Sequence, residues 1–342
     1  MRCYLAAVCL ILPASGCLHP VKLVTDNRVV VEMPPVGDGG PVSATFTPGH
    51  PLPCGTPRIA VVDVDGLLAN TDFTGPSSLG ENPVALFRER LDAVAADHDV
   101  CGVVLRVNSP GGSVTATDIM WHDLTAFRQR TRLPVVACLL DVGAGGGYYL
   151  ATASDVIVAH PTTVTGGIGV ILNLYNLREM MAQFNILSQE VKSGHLIDMG
   201  TPTRNLTEEA RHLLQKMADE YHQRFIEVVL HARPKVQAGD RTNFDGRVFL
   251  AREAHQRGLI DQVGYLDDAI TLAGVLGHHP CAAPVFYRRH NDPGHGLYAS
   301  TPNTPLQATA WPIAVPGLDR SRLPAFLYLW QPETTLERVS GR

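Results

Sequence analysis

The chain has 342 residues, 45% of them hydrophobic and 18% charged, with 28 Lys and Arg set against 33 Asp and Glu. That apolar content excludes a chain disordered throughout, and a net charge of −5 supplies no basic stripe for nucleic acid. No run approaches the roughly 20 apolar residues of a membrane-spanning helix, which excludes a polytopic membrane protein.

The chain opens with one positive charge, Arg2, and a short apolar stretch from Tyr4 to Leu12. The stretch is too short to span a bilayer and has the form of a signal-peptide core, so residues 1–16 are predicted to be such a signal. The small residues Ala14, Ser15 and Gly16 stand directly before Cys17, an arrangement that resembles a bacterial lipobox. The resemblance implies lipidation of the Cys17 thiol and a membrane-anchored lipoprotein of the cell envelope, facing an extracytoplasmic compartment. Secretion after cleavage near Gly16 is the alternative. Beyond Cys17 the cysteines are Cys54, Cys101, Cys138 and Cys281, at spacings with no zinc or redox pattern. Cys101 and Cys138 sit in apolar runs and read as small buried hydrophobes, a disulfide being the alternative in an oxidising compartment.

Prolines divide the chain. Residues 20–57 hold eight and residues 276–342 hold nine, whereas 58–275 hold only seven. This predicts a Pro-rich tether over 17–57, a folded unit over 58–275 and a loosely structured Pro-rich tail over 276–342. The tail contains an apolar patch, Phe326-Leu327-Tyr328-Leu329-Trp330, expected to dock on something.

Within the folded unit, Arg58–Asp65 (RIAVVDVD) has the pattern of a buried strand. Asn82 before Pro83 predicts a helix start, and Val84, Phe87, Leu91 and Val94 keep helical spacing to Asp97. A strand over Cys101–Val107 leads into the loop Asn108–Gly112 and a helix carrying Ile119, Leu124 and Phe127. A strand over Pro134–Leu140 leads into Asp141–Gly147 and an apolar helix from Tyr148. Strands follow over Val156–Ala159 and Val164–Leu172. Thr207, with Glu208 and Glu209 at the positive end, opens a long amphipathic helix. Leu213, Leu214, Met217, Tyr221, Phe225 and Val228 are expected on its inner face. Gly258 is expected to cap a short helix over Arg252–Arg257. Repeated strand–loop–helix units define an α/β fold with a largely parallel sheet.

Glycine after a strand and before a helix can cradle phosphate, expose a nucleophile or aim backbone N–H groups at an oxyanion. No Gly-Lys-Ser/Thr follows any of these turns, and Gly143, Gly145 and Gly147 lack dinucleotide spacing. HExxH is missing and His278-His279 lies in the tail, so neither a metal nor another cofactor is expected. The oxyanion reading remains.

Val107–Gly112 (VNSPGG), Asp141–Tyr149 (DVGAGGGYY) and Thr165–Val170 (TGGIGV) together resemble signal peptide peptidase A. The likeness starts at Arg58–Gly66 and runs on through Lys192–Arg204 (KSGHLIDMGTPTR), Thr207–Glu209 and Gly246–Val248 to Gly258–Gly264. It therefore covers 58–275 in order. The resemblance implies a ClpP/crotonase-like fold of repeated strand-strand-helix units. It also implies a serine peptidase acting on signal or membrane-associated peptides through a Ser–Lys dyad. In that chemistry a serine of the second segment attacks the peptide carbonyl, and a lysine kept neutral by burial takes its proton. Backbone N–H groups of the first segment hold the oxyanion.

Carried onto this chain, the oxyanion turn is Gly111 and Gly112, the nucleophile position is Gly145 and the base position is Ile197. Asp141, Gly146–Tyr149, Gly194 and Asp198 fix the two registers. Glycine has no side chain to attack with, and isoleucine cannot accept a proton. The resemblance thus leads to a pseudoenzyme that keeps peptide binding, leaving its standing as an enzyme open. Substitute groups are Ser113, Ser154 and Ser193 as nucleophiles, with His195 and Lys192 as bases. Serines in such turns more commonly serve local hydrogen bonding. An active peptidase with relocated groups, and a crotonase-like acyl-thioester enzyme, are the two alternatives. The expected partners are peptide or protein segments, further copies of the chain in a homo-oligomer, and the membrane through lipid on Cys17.

Overall fold

The computed structural model describes residues 41–46, 56–71, 81–289, Tyr298 and 326–330, with the backbone of four short strands at 23–25, 29–31, 73–75 and 78–80. The expected signal segment, Cys17 and Cys54 lie outside the described residues. Met1–Val36 is a unit of its own, holding the antiparallel hairpin β1 (Leu23–Thr25) and β2 (Val29–Val31).

The rest of the chain is organised by apolar runs that become sheet. Strands β3 (Ser43–Phe46) and β4 (Arg58–Leu68) come first. A small hairpin follows, β5 (Phe73–Gly75) and β6 (Ser78–Glu81), and then helix α1 (Pro83–Ala96). Asn82 caps α1 as expected, its side chain accepting from the N–H groups of Val84 and Ala85. Strand β7 (Val100–Ser113), helix α2 (Val114–Thr131), strand β8 (Val135–Ala144) and the short helix α3 (Gly146–Ala151) follow. Then come β9 (Val156–Ala159), β10 (Val164–Gly166), α4 (Arg178–Gln183) and the long α5 (Glu208–Ala232). The chain continues through β11 (Val248–Leu250), α6 (Ala251–Gln256), β12 (Gln262–Val263), α7 (Leu266–Leu276), β13 (Ala283–Arg288) and β14 (Leu327–Leu329).

Ten of these strands form one sheet, in the order β11-β10-β8-β7-β4-β13-β3, with β9 and β12 branching from β8 and β14 from β7. The central pairs β13–β4, β4–β7, β7–β8 and β8–β10 are parallel. The α/β class with a largely parallel sheet is therefore what the structure has. Alternate residues of the strands serve two faces. Ile59, Val61, Val104, Val136, Cys138 and Val158 pack with Leu266, Ala269 and Ala273 of α7. Ala60, Val62, Val103, Leu105 and Val107 pack with Phe87, Leu91, Met120 and Leu124 of α1 and α2.

The folded unit is wider than the 58–275 expected from proline spacing. Strand β13 lies inside the sheet, parallel to β4, and β3 and β14 also come from the presumed flanks. A buried ion cluster fixes β13. Asp63 of β4 accepts from Arg106 Nε of β7 at 2.7 Å and from Arg288 of β13 at 3.2 Å. Both guanidinium groups lie over the Phe286 ring, and Arg90 of α1 donates to the Asp63 carbonyl at 2.8 Å. Asp63, Arg90, Arg106 and Arg288 are all buried.

Three other expectations need correction. Residues 108–112 are not a free loop but the end of β7, because Leu67 and Leu68 of β4 still pair with Gly111 and Gly112. The strand expected over 164–172 ends at Gly166, where positive φ at Gly166 and Gly167 breaks the extended run. Only Ala210, Phe225 and Val229 of α5 are buried, and Leu213 and Met217 of the expected inner face are exposed. Cys101, Cys138 and Cys281 are free thiols, and burial pushes Cys138 up to about 12, as befits an inert core residue.

Candidate peptide groove

Three strand ends meet through glycine. Gly111 and Gly112 close β7, Gly145–Gly147 join β8 to α3, and Gly166–Gly167 follow β10. The Gly145 N–H donates to Gly166 O at 2.9 Å. A Cβ on Gly147 would stand 2.5 Å from Ser109 O, and one on Gly146 would stand 3.2 Å from the Cα of Gly111. Backbone and the Thr117 hydroxyl crowd these positions and leave no room for a side chain. Ser109 braces the turn from within. It is fully buried, its hydroxyl donates to Gly66 O at 2.6 Å and it accepts from Gly111 N at 3.1 Å. Sequence reasoning passed over Ser109, although its place inside the Asn-Ser-Pro-Gly-Gly turn was the available signal.

Gly145, the position expected from the resemblance to carry the nucleophile, has a backbone of unusual shape. Gly145 has φ +53° and ψ −123°, a region that other residues enter only at a cost of about 1–3 kcal/mol. A Cβ there would lie 2.6 Å from Tyr328 O, 3.0 Å from Tyr328 C and 2.9 Å from Pro110 O. The space is taken by the chain's own C-terminal segment.

That segment is β14. It runs antiparallel to the oxyanion turn, with Leu327 opposite Ser113, Tyr328 opposite Gly112 and Leu329 opposite Gly111. Val114 N–H donates to Phe326 O at 3.2 Å, and Trp330 N–H donates to Pro110 O at 3.0 Å. On the other edge Leu327 and Ile171 exchange two backbone bonds, of 2.9 and 3.0 Å. The segment is thus held as an extended strand between two backbones. The apolar patch singled out in the sequence docks on its parent domain, across the glycine junction.

Tyr328 is the anchor. Its side chain is fully buried, stacked on Tyr149 at 5.2 Å and tilted against Phe225 at 4.8 Å. Its hydroxyl donates to Tyr221 O at 2.8 Å, and burial pushes the phenol far above its ordinary range, so it stays a donor. Tyr149 is itself held by Asp118, which accepts its hydroxyl at 2.6 Å and pairs with Arg224.

The other candidates are scattered. Ser113 caps α2, accepting from Ala116 N. Ser154 lies beyond the far end of α3, buried, its hydroxyl without a hydrogen-bond partner among the described residues. Ser193 and His195 are exposed, and His195 pairs with Glu209 at 3.3 Å. Lys192 donates to both Asp198 oxygens at 2.9 Å, and this bond holds the Asp198 carboxyl below its usual range. An ion-paired ammonium is not a neutral base. Ile197 is 72% exposed, so the base position faces solvent in the single chain. His222 of α5 went unnoticed in the sequence; its Nε2–H donates to Ile168 O at 3.1 Å, one residue past Gly167.

Comparison with known proteins fits these motifs. Residues 127–277 match Peptidase family S49. An Enterococcus faecium protein named signal peptide peptidase SppA is 30% identical over 213 residues, 62% of this chain and 62% of that one. These similarities support the signal peptide peptidase A family. Protease 4 of Salmonella typhi is 31% identical over 64% of this chain and 34% of its own length. The chloroplastic serine protease SPPA of Arabidopsis thaliana is 30% identical over 64% of this chain and 32% of its own. The chain therefore spans less than two thirds of each of these signal peptide peptidase A relatives. Among solved structures, a membrane-bound stomatin-specific protease aligns over 68% of this chain and 99% of its own, at 13% identity and a TM-score of 0.43.

Proposed function

We propose that this chain binds extended apolar peptide segments and does not hydrolyse them. The observation that carries the reading is β14, a strand held on both edges across Gly145, the position where the family's chemistry needs a serine. Binding by strand addition needs only backbone donors and acceptors on the groove edges. Hydrolysis needs a nucleophile and a base, and the two positions are Gly145 and Ile197. The names of the relatives point to signal-peptide segments as the ligand class. Treatment of the purified chain with a diaryl phosphonate, which phosphonylates activated serines with loss of an aryloxide, followed by mass spectrometry, tests the reading. No adduct is expected; an adduct on Ser113, Ser154 or Ser193 would restore an active peptidase with relocated groups.

We also infer a homo-oligomer held to the membrane by lipid on Cys17. No residue from 169 to 209 is buried, and this stretch exposes Phe184, Ile186, Leu187, Val191 and Ile197. Apolar surface of that extent is ordinarily covered in an assembly. Among the described residues no helix is long and apolar enough to cross a membrane. Wild type is expected to sediment with membranes, and Cys17→Ala to be recovered soluble and oligomeric by light scattering. Unchanged fractionation removes the anchor; a monomer at micromolar concentration removes the assembly.

A further inference from the structure

A cavity lies on the sheet face opposite the groove. On β4, Asp63 and Asp65 keep the parity of Ile59 and Val61, which pack with α7, and on β7 Arg106 and Asn108 keep that of Val104. The groove aromatics Tyr149, Phe225 and Tyr328 belong to the core on the other face. With Leu140, Asp141, His160 and Tyr298, the four strand residues line a space of about 320 Å³. Three segments singled out in the sequence thus converge there: Asp65 from RIAVVDVDG, Asn108 from VNSPGG and Asp141 from DVGAGGGYY. The peptide-binding reading uses none of these side chains.

The lining selects the sign of a ligand. Asp63 is matched by Arg106 and Arg288, so the negative charge facing the cavity beyond that cluster belongs to Asp65 and Asp141. Burial, with repulsion from Asp63 and Asp141, holds the Asp65 carboxyl above its ordinary range, against the opposing pull of the Gly66 N–H and Arg106. A cation beside the two carboxylates relieves this repulsion, and an anion adds to it. Both ends are fixed by backbone: Gly66 N–H donates to Asp65 Oδ1 at 3.1 Å, and Val142 N–H, next to Asp141, donates to Asn108 Oδ1 at 3.2 Å. The other walls are Leu140, Tyr298 and His160, whose ring packs edge-on to Tyr265 at 4.8 Å. Aromatic faces attract ammonium groups, and apolar walls shelter methylene stems. Among the described residues no three His, Cys, Asp or Glu side chains are placed to hold a metal ion, so the donor set suits an organic cation.

We propose that this cavity binds a short aliphatic diamine, one ammonium on Asp65 and the other on Asp141, with its methylene stem against Leu140, His160 and Tyr298. The space stands at the lower end of the roughly 300–1,000 Å³ of small-molecule sites, which suits a ligand of this size. The site is independent of peptide binding, because it uses the opposite face of the sheet.

Isothermal titration calorimetry of the full chain with cadaverine, a straight diamine, tests the site. Wild type is expected to bind cadaverine at a single site and pentylamine at least about tenfold more weakly, for want of the second charge. The neutral pentanediol should not bind. Asp65→Asn and Asp141→Asn are each expected to weaken cadaverine at least about tenfold. Asp92→Asn, at the surface of α1, should leave it unchanged. Asp141 is exposed, so its variant still reads the site should Asp65→Asn fail to fold by circular dichroism. Equal binding by wild type and Asp141→Asn, or no saturable binding of cadaverine, would overturn the site. Tighter binding of N-acetyl-lysine methylamide than of cadaverine would overturn the diamine and assign the cavity to a lysine side chain. Tighter binding of magnesium ion would overturn the organic cation altogether.

Discussion

Gly145→Ser combined with Ile197→Lys is expected to cut its own chain after Tyr328, releasing residues 329–342, whereas wild type and both single variants stay intact. Removing nucleophile or base from a well-studied serine protease costs roughly six orders of magnitude, so one replacement alone gives no measurable reaction. The geometry supplies the bond. Tyr328 C lies 3.0 Å from where the Cβ of residue 145 would stand, and its strand is already bonded on both edges. The new hydroxyl would attack that carbonyl carbon, its proton passing to a lysine at 197 that the proposed assembly brings alongside. The lysine returns the proton to the leaving nitrogen of Leu329, and water then hydrolyses the ester at residue 145. Because position 197 is 72% exposed in the single chain, the lysine should be tolerated but remain mostly protonated near neutrality. The rate should therefore rise with pH toward the ordinary lysine range, about 10. Intact-mass spectrometry against time and pH reads both effects. An unprocessed double variant at every pH would remove Gly145 and Ile197 as the two missing positions.

Asp63→Ala is expected to destabilise the fold by about 3–5 kcal/mol, a large share of the 5–15 kcal/mol typical of a domain. The carboxylate is shared by Arg106 at 2.7 Å and Arg288 at 3.2 Å, deep in the sheet. Its loss leaves two buried guanidinium groups without the anion that joins them, which costs far more than the pair itself contributes. The effect should spread to β13, which Arg288 ties to β4. Asp92→Ala is the control. Asp92 pairs with Arg88 and Arg130 at the surface, all three more than half exposed, and its removal should cost less than about 1 kcal/mol. Urea unfolding of the three proteins measures both. A loss below about 1 kcal/mol for Asp63→Ala would show that the cluster does not hold the sheet together.

The parallel sheet was legible because its strands are dense runs of β-branched residues, and Asn82-Pro83 and Thr207 gave two helix starts through their capping chemistry. The edges were not legible. Proline counts placed β13 outside the fold, yet Pro284 is accommodated there, while the buried pairing of Arg288 with Asp63 depends on residues 225 positions apart. No local pattern encodes such a contact. At the site, the glycine segments that meet around Gly111, Gly112 and Gly145 could be read from motifs. The environment of Ile197 could not, because its exposure depends on how the segment around it packs, and the single chain leaves the residue in solvent. The helix α5 misled for a related reason, since Leu213 and Met217 keep core-facing spacing but stay exposed among the described residues.

The strand at 327–329 also answers a different physical problem. With β14 removed, the backbone at Gly111–Ser113 and at Ile171 would present unsatisfied N–H and C=O groups as open sheet edges. Open edges invite pairing with any extended chain, including the edge of another molecule. Glycine at 111, 112 and 145 makes this edge worse, because no side chain shields it. By supplying the missing strand from its own sequence, the chain carries a guard against aggregation in the same five residues that fill its groove. The segment that crosses the glycine junction thus also closes the edges that junction leaves open.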